Sequence, residues 1–149
     1  MINGHGDDIY KYKDQIAINF SSNIYAKQDM LALHTFLCLQ LRKVHSYPEP
    51  DASSLNALLA EKHQIKVENI QVTNGATEAI YLLAQTYQNS RSAIIIPTFS
   101  EYEDACRINR HQLRYYKDLN QIEDNRDIVG LCNPNNPDGG IYDVDYLIQ

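Results

Sequence analysis

Apolar residues recur every three to four positions in the first half of the chain, which is the spacing of a helix that buries one face. Between residues 29 and 44, leucines and one phenylalanine keep this spacing, and Asp29 stands where an N-cap is expected. The prolines of the Tyr-Pro-Glu-Pro stretch 47–50 end the pattern, and Ser53 or Ser54 can cap a second helix. We therefore predict two successive helices in this part of the chain.

The period changes after Asn69, where short apolar runs alternate with helical segments. The run 93–96 is almost entirely apolar, as expected for a strand that is covered on both faces, and Pro97 ends it. The predicted strands are 70–72, 93–96, 113–116 and 128–132, and the predicted helices between them are 76–87 and 101–109. This alternation predicts an α/β fold with three α/β/α layers around a mostly parallel sheet and right-handed crossovers.

The two ends of the chain differ from this pattern. Residues 1–28 follow neither period and are interpreted as an N-terminal arm, whereas residues 29–149 are interpreted as part of one larger α/β domain. Asp143 can cap a further helix, but less than two helical turns of sequence follow it. We therefore expect the chain to be a fragment of a longer protein.

Composition narrows the class of protein further. The 149 residues carry a formal net charge of −6, and their basic side chains are scattered, which argues against a nucleic-acid surface. No apolar run approaches the ~20 residues that span a membrane, and the first residues lack a signal pattern, so a cytoplasmic protein is expected. Cys38, Cys106 and Cys132 lie far apart in apolar surroundings and are predicted to be reduced core thiols, without a metal site.

Asparagine, proline and glycine are concentrated in residues 133–140, Asn-Pro-Asn-Asn-Pro-Asp-Gly-Gly, which we call the asparagine loop. The loop directly follows an apolar strand, and open α/β sheets bind ligands at the carboxyl ends of their strands. The same composition is typical of a wide surface turn, so both interpretations stay open for this segment alone. As part of a ligand site, the Asn136 side chain can hydrogen-bond a ligand, and its peptide bond to Pro137 can be cis.

The loop 73–78, Thr-Asn-Gly-Ala-Thr-Glu, joins a predicted strand to a predicted helix. Gly75 lets the backbone approach a ligand closely, and the amides of Ala76 and Thr77 at a helix N-terminus suit a phosphate. An ordinary glycine N-cap, followed by Glu78 in a favourable first-turn position, is the structural alternative.

The loop 97–102, Pro-Thr-Phe-Ser-Glu-Tyr, places two aromatic rings after the most apolar strand. Phe99 or Tyr102 can stack on a flat heteroaromatic ligand whose phosphate rests on the loop 73–78. Packing against the core is the alternative for both rings.

Taken together, the three loops resemble the N-terminal part of fold-type I pyridoxal-phosphate enzymes of the aminotransferase class I and II family. Residues 133–139 are similar to the family motif Asn-Pro-x-Asn-Pro-Thr-Gly, residues 75–78 to Gly-Ala-Thr-Glu, and residues 97–102 to Pro-Thr-Phe-x-x-Tyr. Position 138 departs from the motif, because Asp138 stands where threonine is usual. The resemblance extends over essentially the whole chain.

The resemblance implies roles for individual residues. Around pyridoxal 5′-phosphate, the phosphate would be held by Gly75, Ala76 and Thr77, the pyridine ring would stack on Tyr102, and the phenolic oxygen would bond to Asn136. Tyr47 lies in a Tyr-Pro-Glu-Pro stretch that is similar to the family's Tyr-Pro-Asp-Pro. In a homodimer, Tyr47 would reach the phosphate in the neighbouring subunit.

The amino terminus is most similar to one branch of the family. Residues 4–10 and 19–23 resemble the arms of threonine-phosphate decarboxylases, which act in cobalamin side-chain synthesis, with histidinol-phosphate aminotransferases as the alternative. In this branch His5 would lie near the substrate's phosphate and Asn23 near its carboxylate, although Asp7 replaces a glycine. A disordered terminal residue is the alternative for His5.

Catalysis with this cofactor needs a lysine that binds it covalently and a carboxylate beside the pyridine nitrogen. Neither has a matching motif in the sequence, and the resemblance implies that both lie beyond Gln149. We therefore expect a pyridoxal-phosphate-dependent lyase or aminotransferase for a phosphorylated amino acid, of which this fragment alone is inactive. A non-catalytic module that binds phosphorylated ligands is the alternative of another class.

Overall fold

A computed structural model describes residues 9–12, 15–25 and 28–148. The chain divides into two compact units, one comprising Ile24–Thr73 and the other comprising Met1–Asn23 together with Asn74–Gln149. No helix in the described ranges is long and apolar enough to cross a membrane.

The predicted order of helices and strands is largely observed. The helices are α1 (Ile9–Tyr12), α2 (Leu31–Gln40), α3 (Ser53–His63), α4 (Gly75–Thr86), α5 (Glu101–Ile108) and α6 (Val144–Ile148), and the strands are β1 (Arg91–Ile95), β2 (Gln112–Tyr116) and β3 (Ile128–Gly130). Short 3₁₀ helices occupy Leu41–His45, Val67–Asn69 and Leu119–Gln121. Every predicted helix and three of the four predicted strands are confirmed, with ends that shift by a few residues.

Carboxylates from the preceding residues hold the start of each helix in the unit Ile24–Thr73. Asp29 accepts a hydrogen bond from the Leu31 amide at 2.9 Å, but Met30 occupies the N-cap position, so Asp29 lies one residue before the predicted place. For α3 the predicted cap is wrong, because neither Ser53 nor Ser54 caps the helix with its own side chain. The carboxylate of Glu49 accepts the Ser54 amide at 2.9 Å instead, and this bond lowers the pKa of Glu49.

The predicted strand 70–72 is wrong. Ile70 has an extended backbone, but the segment pairs with no strand in the described part of the chain. The Val72 amide donates to the side-chain oxygen of Asn56 at 3.1 Å, so a side chain takes the place of a neighbouring strand. An extended segment becomes a strand only where another strand exchanges ladder hydrogen bonds with it.

The helix α2 carries apolar side chains on several sides, and none of its residues is buried. Cys38 is therefore exposed, so the prediction of a core thiol is wrong for this residue. Cys106 and Cys132 are half-buried, and all three thiols are free. Sequence neighbours were the basis of the prediction, but they cannot show which face of a helix other elements cover.

The sheet has the strand order β2-β1-β3, and both pairings are parallel. The central strand β1 is buried over residues 92–95, as its apolar sequence predicts. The register pairs Ala93 with Val129 and Ile94 with Gly130. Because successive side chains of a strand point to opposite faces, each of these pairs lies on a different face of the sheet.

Helices lie on both faces of the sheet. α4 and α5 pack on the face of Ile94 and Gly130, where they enclose a cavity of about 120 Å³. On the opposite face, Tyr146 of α6 lines a more open cavity with Val129, and its hydroxyl donates to the Asn120 side chain at 3.1 Å. The predicted α/β fold with helices around a parallel sheet is confirmed.

A buried polar bridge joins β1 to the helices beside it. The Ser92 hydroxyl lies 2.7 Å from Nδ1 of His111, and Nε2 of the same ring lies 2.9 Å from the carbonyl oxygen of Ala84. Because a carbonyl oxygen only accepts, Nε2 carries the ring proton, and Nδ1 accepts the proton of the hydroxyl. Ser92 and His111 are both buried, so the bridge satisfies polar groups that are removed from water.

We expect His111→Ala to lower the free energy of unfolding by about 1–2 kcal/mol, because it leaves the buried Ser92 hydroxyl without its partner. Urea unfolding followed by circular dichroism measures the change. His34→Ala is the matched control, since His34 lies exposed on α2. Equal losses in the two variants would show that the bridge adds nothing to stability.

An ion pair fixes the start of β1 to the residue before β3. Asp127 accepts hydrogen bonds from Nη2 of Arg91 at 2.8 Å, from its Nε at 3.1 Å and from its backbone amide at 2.8 Å. The side-chain bond from Arg91, together with the amide bond, lowers the pKa of Asp127 from 3.8 to about 2.

This lowered pKa predicts how acid weakens the fold. The stabilisation by Asp127 is fully present above its unfolded pKa of 3.8 and is lost as the pH falls through about 2. We expect Asp127→Asn to be less stable than the wild type at about pH 6 and to approach it at about pH 2, as measured by urea unfolding. Asp124→Asn is the control, because Asp124 is exposed and forms no ion pair among the described residues. A difference for Asp127→Asn that stays constant with pH would contradict the prediction.

Candidate functional site

Three loops lie at the carboxyl edge of the sheet. α4 has 12 residues, about 18 Å of helix, and leads back to the amino end of β1, whose 5 residues span about 16 Å. The N-terminus of α4 therefore lies level with the carboxyl end of β1. α5 begins shortly after that strand ends, and the asparagine loop is separated from β3 by two residues. Residues 74–78, 97–102 and 133–140 consequently share one edge.

The N-terminus of α4 presents free backbone donors. Asn74 is the N-cap residue, but its side chain does not cap the helix, and its own amide donates to the Glu78 carboxylate. The amides of Ala76 and Thr77 form no hydrogen bond within the described residues, and both residues are exposed. The backbone of Gly75 is left-handed, with a φ of +83°, and the space where a Cβ would stand is open. This end of α4 can therefore accept an anion.

Tyr102 lies in the first turn of α5 and is half-buried. Its ring packs beside β3, where a Cβ on Gly130 would lie 3.5 Å from Cδ1 of the ring. Burial raises the pKa of Tyr102, and the nearby Cys132 thiol raises it further. The thiol in turn donates to the Pro134 carbonyl at 3.3 Å, so the ring is connected to the asparagine loop.

The three asparagines of the asparagine loop serve different purposes. Asn133 exchanges two hydrogen bonds with the backbone of Tyr142, at 3.1 Å and 3.0 Å. Asn135 donates from Nδ2 to the Pro97 carbonyl at 2.9 Å, which ties the loop to the segment after β1. Asn136 is half-buried, and its side-chain amide forms no hydrogen bond within the described residues. Two asparagines hold the loop, and the third is available to a ligand.

The peptide bonds that precede Pro97, Pro134 and Pro137 are cis, as predicted for Pro137. No group of acidic, histidine and cysteine side chains within the described ranges is arranged to hold a metal ion.

Three other predicted site residues belong to other segments of the chain. Tyr47 belongs to the unit Ile24–Thr73 and is fully exposed. Asn23 is exposed at the end of the described arm. His5 lies outside the described residues. The roles of these three residues in binding substrate or a second subunit remain predictions.

Two residues of the site were not recognised in the sequence. Cys132 was interpreted only as a core thiol, although it links Tyr102 to the asparagine loop. Asp138 was noted only as a departure from a motif, although its carboxylate accepts two hydrogen bonds within the loop. The aspartate in place of the usual threonine was the signal in the sequence that this side chain forms contacts of its own.

The fold and the site define an α/β protein that can hold a phosphorylated heteroaromatic group at the carboxyl edge of its sheet. The sequence matches the family described as aminotransferase class I and II over residues 15–148. The chain belongs to this family, whose enzymes depend on pyridoxal 5′-phosphate.

Similarity to individual enzymes of known name agrees with this family assignment. The chain is 31% identical over 138 residues to threonine-phosphate decarboxylase of Salmonella typhimurium, covering 85% of the chain and 38% of the relative. It is 34% identical over 113 residues to histidinol-phosphate aminotransferase of Moorella thermoacetica, covering 66% and 29%. The crystal structure of L-threonine-O-3-phosphate decarboxylase from Porphyromonas gingivalis superposes with a TM-score of 0.82 at 39% identity, covering 85% of the chain and 40% of that structure. The chain thus spans well under half the length of these proteins.

The residues at the carboxyl edge fit pyridoxal phosphate. Its phosphate needs several donors, and the amides of Ala76 and Thr77 supply them at the positive end of α4. The unfilled space at Gly75 lets the phosphate approach the backbone. An aromatic ring and an uncommitted amide, from Tyr102 and Asn136, suit the pyridine ring and its phenolic oxygen.

Proposed function

We propose that this chain forms the cofactor-binding part of a pyridoxal-phosphate-dependent enzyme that decarboxylates threonine phosphate. The observation that carries the proposal is the combination, at one edge, of unbonded amides on α4 with the unbonded side-chain amide of Asn136. The similarity to two threonine-phosphate decarboxylases, one of them with a solved structure, favours this substrate.

Each residue has a defined task in this proposal. Ala76 and Thr77 hold the cofactor phosphate, and Gly75 keeps the approach to them open. Tyr102 fixes the plane of the ring, and Asn136 donates to the phenolic oxygen and so fixes the ring's rotation. When bound, the cofactor supplies a conjugated ring that can take up the electrons released from the substrate's Cα.

The proposal extends to three residues in other segments of the chain. Tyr47, fully exposed after the 3₁₀ helix Leu41–His45, is assigned to the phosphate of a second copy in a homodimer. His5 and Asn23 are assigned to the phosphate and the carboxylate of the substrate. These assignments rest on the family resemblance of their sequence segments.

Histidinol-phosphate aminotransferase is the second candidate, because the chain is 34% identical to a named example. The experiment is a parallel assay of the natural protein that carries this chain, with threonine phosphate and with histidinol phosphate plus a 2-oxo acid. Release of carbon dioxide from threonine phosphate alone supports the first function. Amino transfer from histidinol phosphate supports the aminotransferase function. Failure to bind pyridoxal phosphate overturns both candidate functions.

A further inference from the structure

We infer that Asp138 is a positioning residue that holds the asparagine loop in the conformation in which Asn136 meets its ligand. The inference rests on the proposed function, since it takes the phenolic oxygen of pyridoxal phosphate as that ligand. Asp138 does not touch the cofactor in this account, and it acts through the backbone of the loop.

The carboxylate of Asp138 joins both ends of the segment that contains Asn136. Its Oδ1 accepts a hydrogen bond from Nδ2 of Asn135 at 2.8 Å and another from the Gly140 amide at 2.9 Å. Nδ2 of Asn135 also donates to the Pro97 carbonyl at 2.9 Å, which lies after the central strand. Asp138 therefore fixes the side chain that attaches the loop to the sheet.

Backbone hydrogen bonds close the same segment. The Asn135 amide donates to the Gly140 carbonyl at 2.7 Å, and the Gly139 amide donates to the Asn135 carbonyl at 2.8 Å. Asn136 lies inside the turn that these bonds close. Because its own side chain has no hydrogen-bond partner in the described residues, its position depends on the backbone that Asp138 holds.

The glycine after this turn is matched to the carboxylate. A Cβ at Gly140 would lie 3.2 Å from Oδ1 of Asp138, so a larger residue would push the carboxylate aside. Gly139 has a φ of +72°, a conformation that L-residues with side chains rarely adopt. The pair Gly139-Gly140 thus accommodates the turn that the Asp138 carboxylate stabilises.

The negative charge of Asp138 strengthens the hydrogen bonds that it accepts. The hydrogen bond from the Gly140 amide, and next that from the Asn135 side chain, lower the pKa of Asp138. The group is therefore an ionised acceptor at neutral pH, and hydrogen bonds to an ionised acceptor are shorter and stronger than those to a neutral one.

Variants of the natural protein that carries this chain separate positioning from general stability. We expect Asp138→Ala to weaken pyridoxal phosphate binding about tenfold and to leave the binding of inorganic phosphate unchanged, because the amides on α4 are not altered. Asp138→Asn keeps an oxygen acceptor and should restore binding to within about threefold. The matched control is Asp118→Ala, since Asp118 likewise accepts a backbone amide and an asparagine amide, at 2.8 Å and 2.9 Å, but outside the asparagine loop.

The outcomes distinguish this inference from the proposed function. If the unaltered protein does not bind pyridoxal phosphate, the proposed function fails, and the inference fails with it. If Asn136→Ala weakens binding while Asp138→Ala does not, the proposed function stands and the inference is wrong. Equal loss of pyridoxal phosphate and inorganic phosphate binding in Asp138→Ala also overturns it, since that pattern means general unfolding. If Asp138→Ala does not fold, Asp138→Val tests the same point, because it also removes the acceptor, and full wild-type affinity in that variant overturns the inference.

Discussion

Replacing Asn136 by alanine is expected to weaken the binding of pyridoxal phosphate about tenfold to a hundredfold, with little change in the stability of the fold. The side-chain amide of Asn136 forms no hydrogen bond within the described residues, so its removal leaves no internal group unsatisfied. The lost interaction is a hydrogen bond to an ionised oxygen, and such bonds contribute about 1.5–3 kcal/mol.

The measurement is the dissociation constant of pyridoxal phosphate in the natural protein that carries this chain, together with the urea midpoint of each variant. Asn133→Ala provides the contrast and is expected to lower stability, because the Asn133 side chain exchanges two hydrogen bonds with the backbone of Tyr142. Asn125→Ala, an exposed site outside the loop, should change neither quantity. Unchanged affinity in Asn136→Ala would remove Asn136 from the site.

The sheet and its helices were predictable because the spacing of their apolar residues indicates which segments are strands and which are helices. The run 93–96 is apolar at every position and ends at a proline, which is typical of a strand covered on both faces. The strand 70–72 has only three residues, and its pattern could not show whether a neighbouring strand exists. The cap of α3 was missed because the acceptor is Glu49, which precedes the helix by four residues.

The residues of the site were recognisable, but the contacts that hold them were not. Gly75, Tyr102 and Asn136 stand in short motifs, and a parallel sheet places the ends of its strands at one edge. The bond from Asn135 to Pro97 joins residues 38 positions apart, and no local pattern indicates it. Local composition likewise left open whether the asparagine loop was a turn or a ligand loop. The hydrogen bonds occupy Asn133 and Asn135 and leave Asn136 uncommitted, and this difference supports the proposed ligand loop.

The sequence also predicted a cofactor site without predicting how its parts depend on one another. Tyr102 lies near the Cys132 thiol, which donates to the Pro134 carbonyl. The asparagine loop is bonded to the segment after β1 through Asn135. Because of these links, a change in the loop 97–102 or in the asparagine loop can move the other. Variants at this edge should therefore show non-additive effects on cofactor binding when they are combined.

Tyr102→Ala is expected to weaken pyridoxal phosphate binding about tenfold to a hundredfold, because stacking of a heteroaromatic ring on an aromatic side chain contributes about 1–3 kcal/mol. Tyr102→Phe is the matched variant. It keeps the ring, which packs beside Gly130, and removes only the hydroxyl, which lies near the Cys132 thiol. We expect its affinity to stay within about threefold of the wild type.

The comparison of the two Tyr102 variants decides what the residue contributes. If the ring is a platform for the cofactor, phenylalanine retains the binding that alanine loses. If the hydroxyl is what matters, through its proximity to the Cys132 thiol and from there to the asparagine loop, phenylalanine loses as much as alanine. Cys132→Ala then separates the causes, because it breaks the link to the loop while leaving the whole tyrosine in place. A loss in Tyr102→Phe that equals the loss in Cys132→Ala would assign Tyr102 to holding the loop, and it would contradict stacking as its main role.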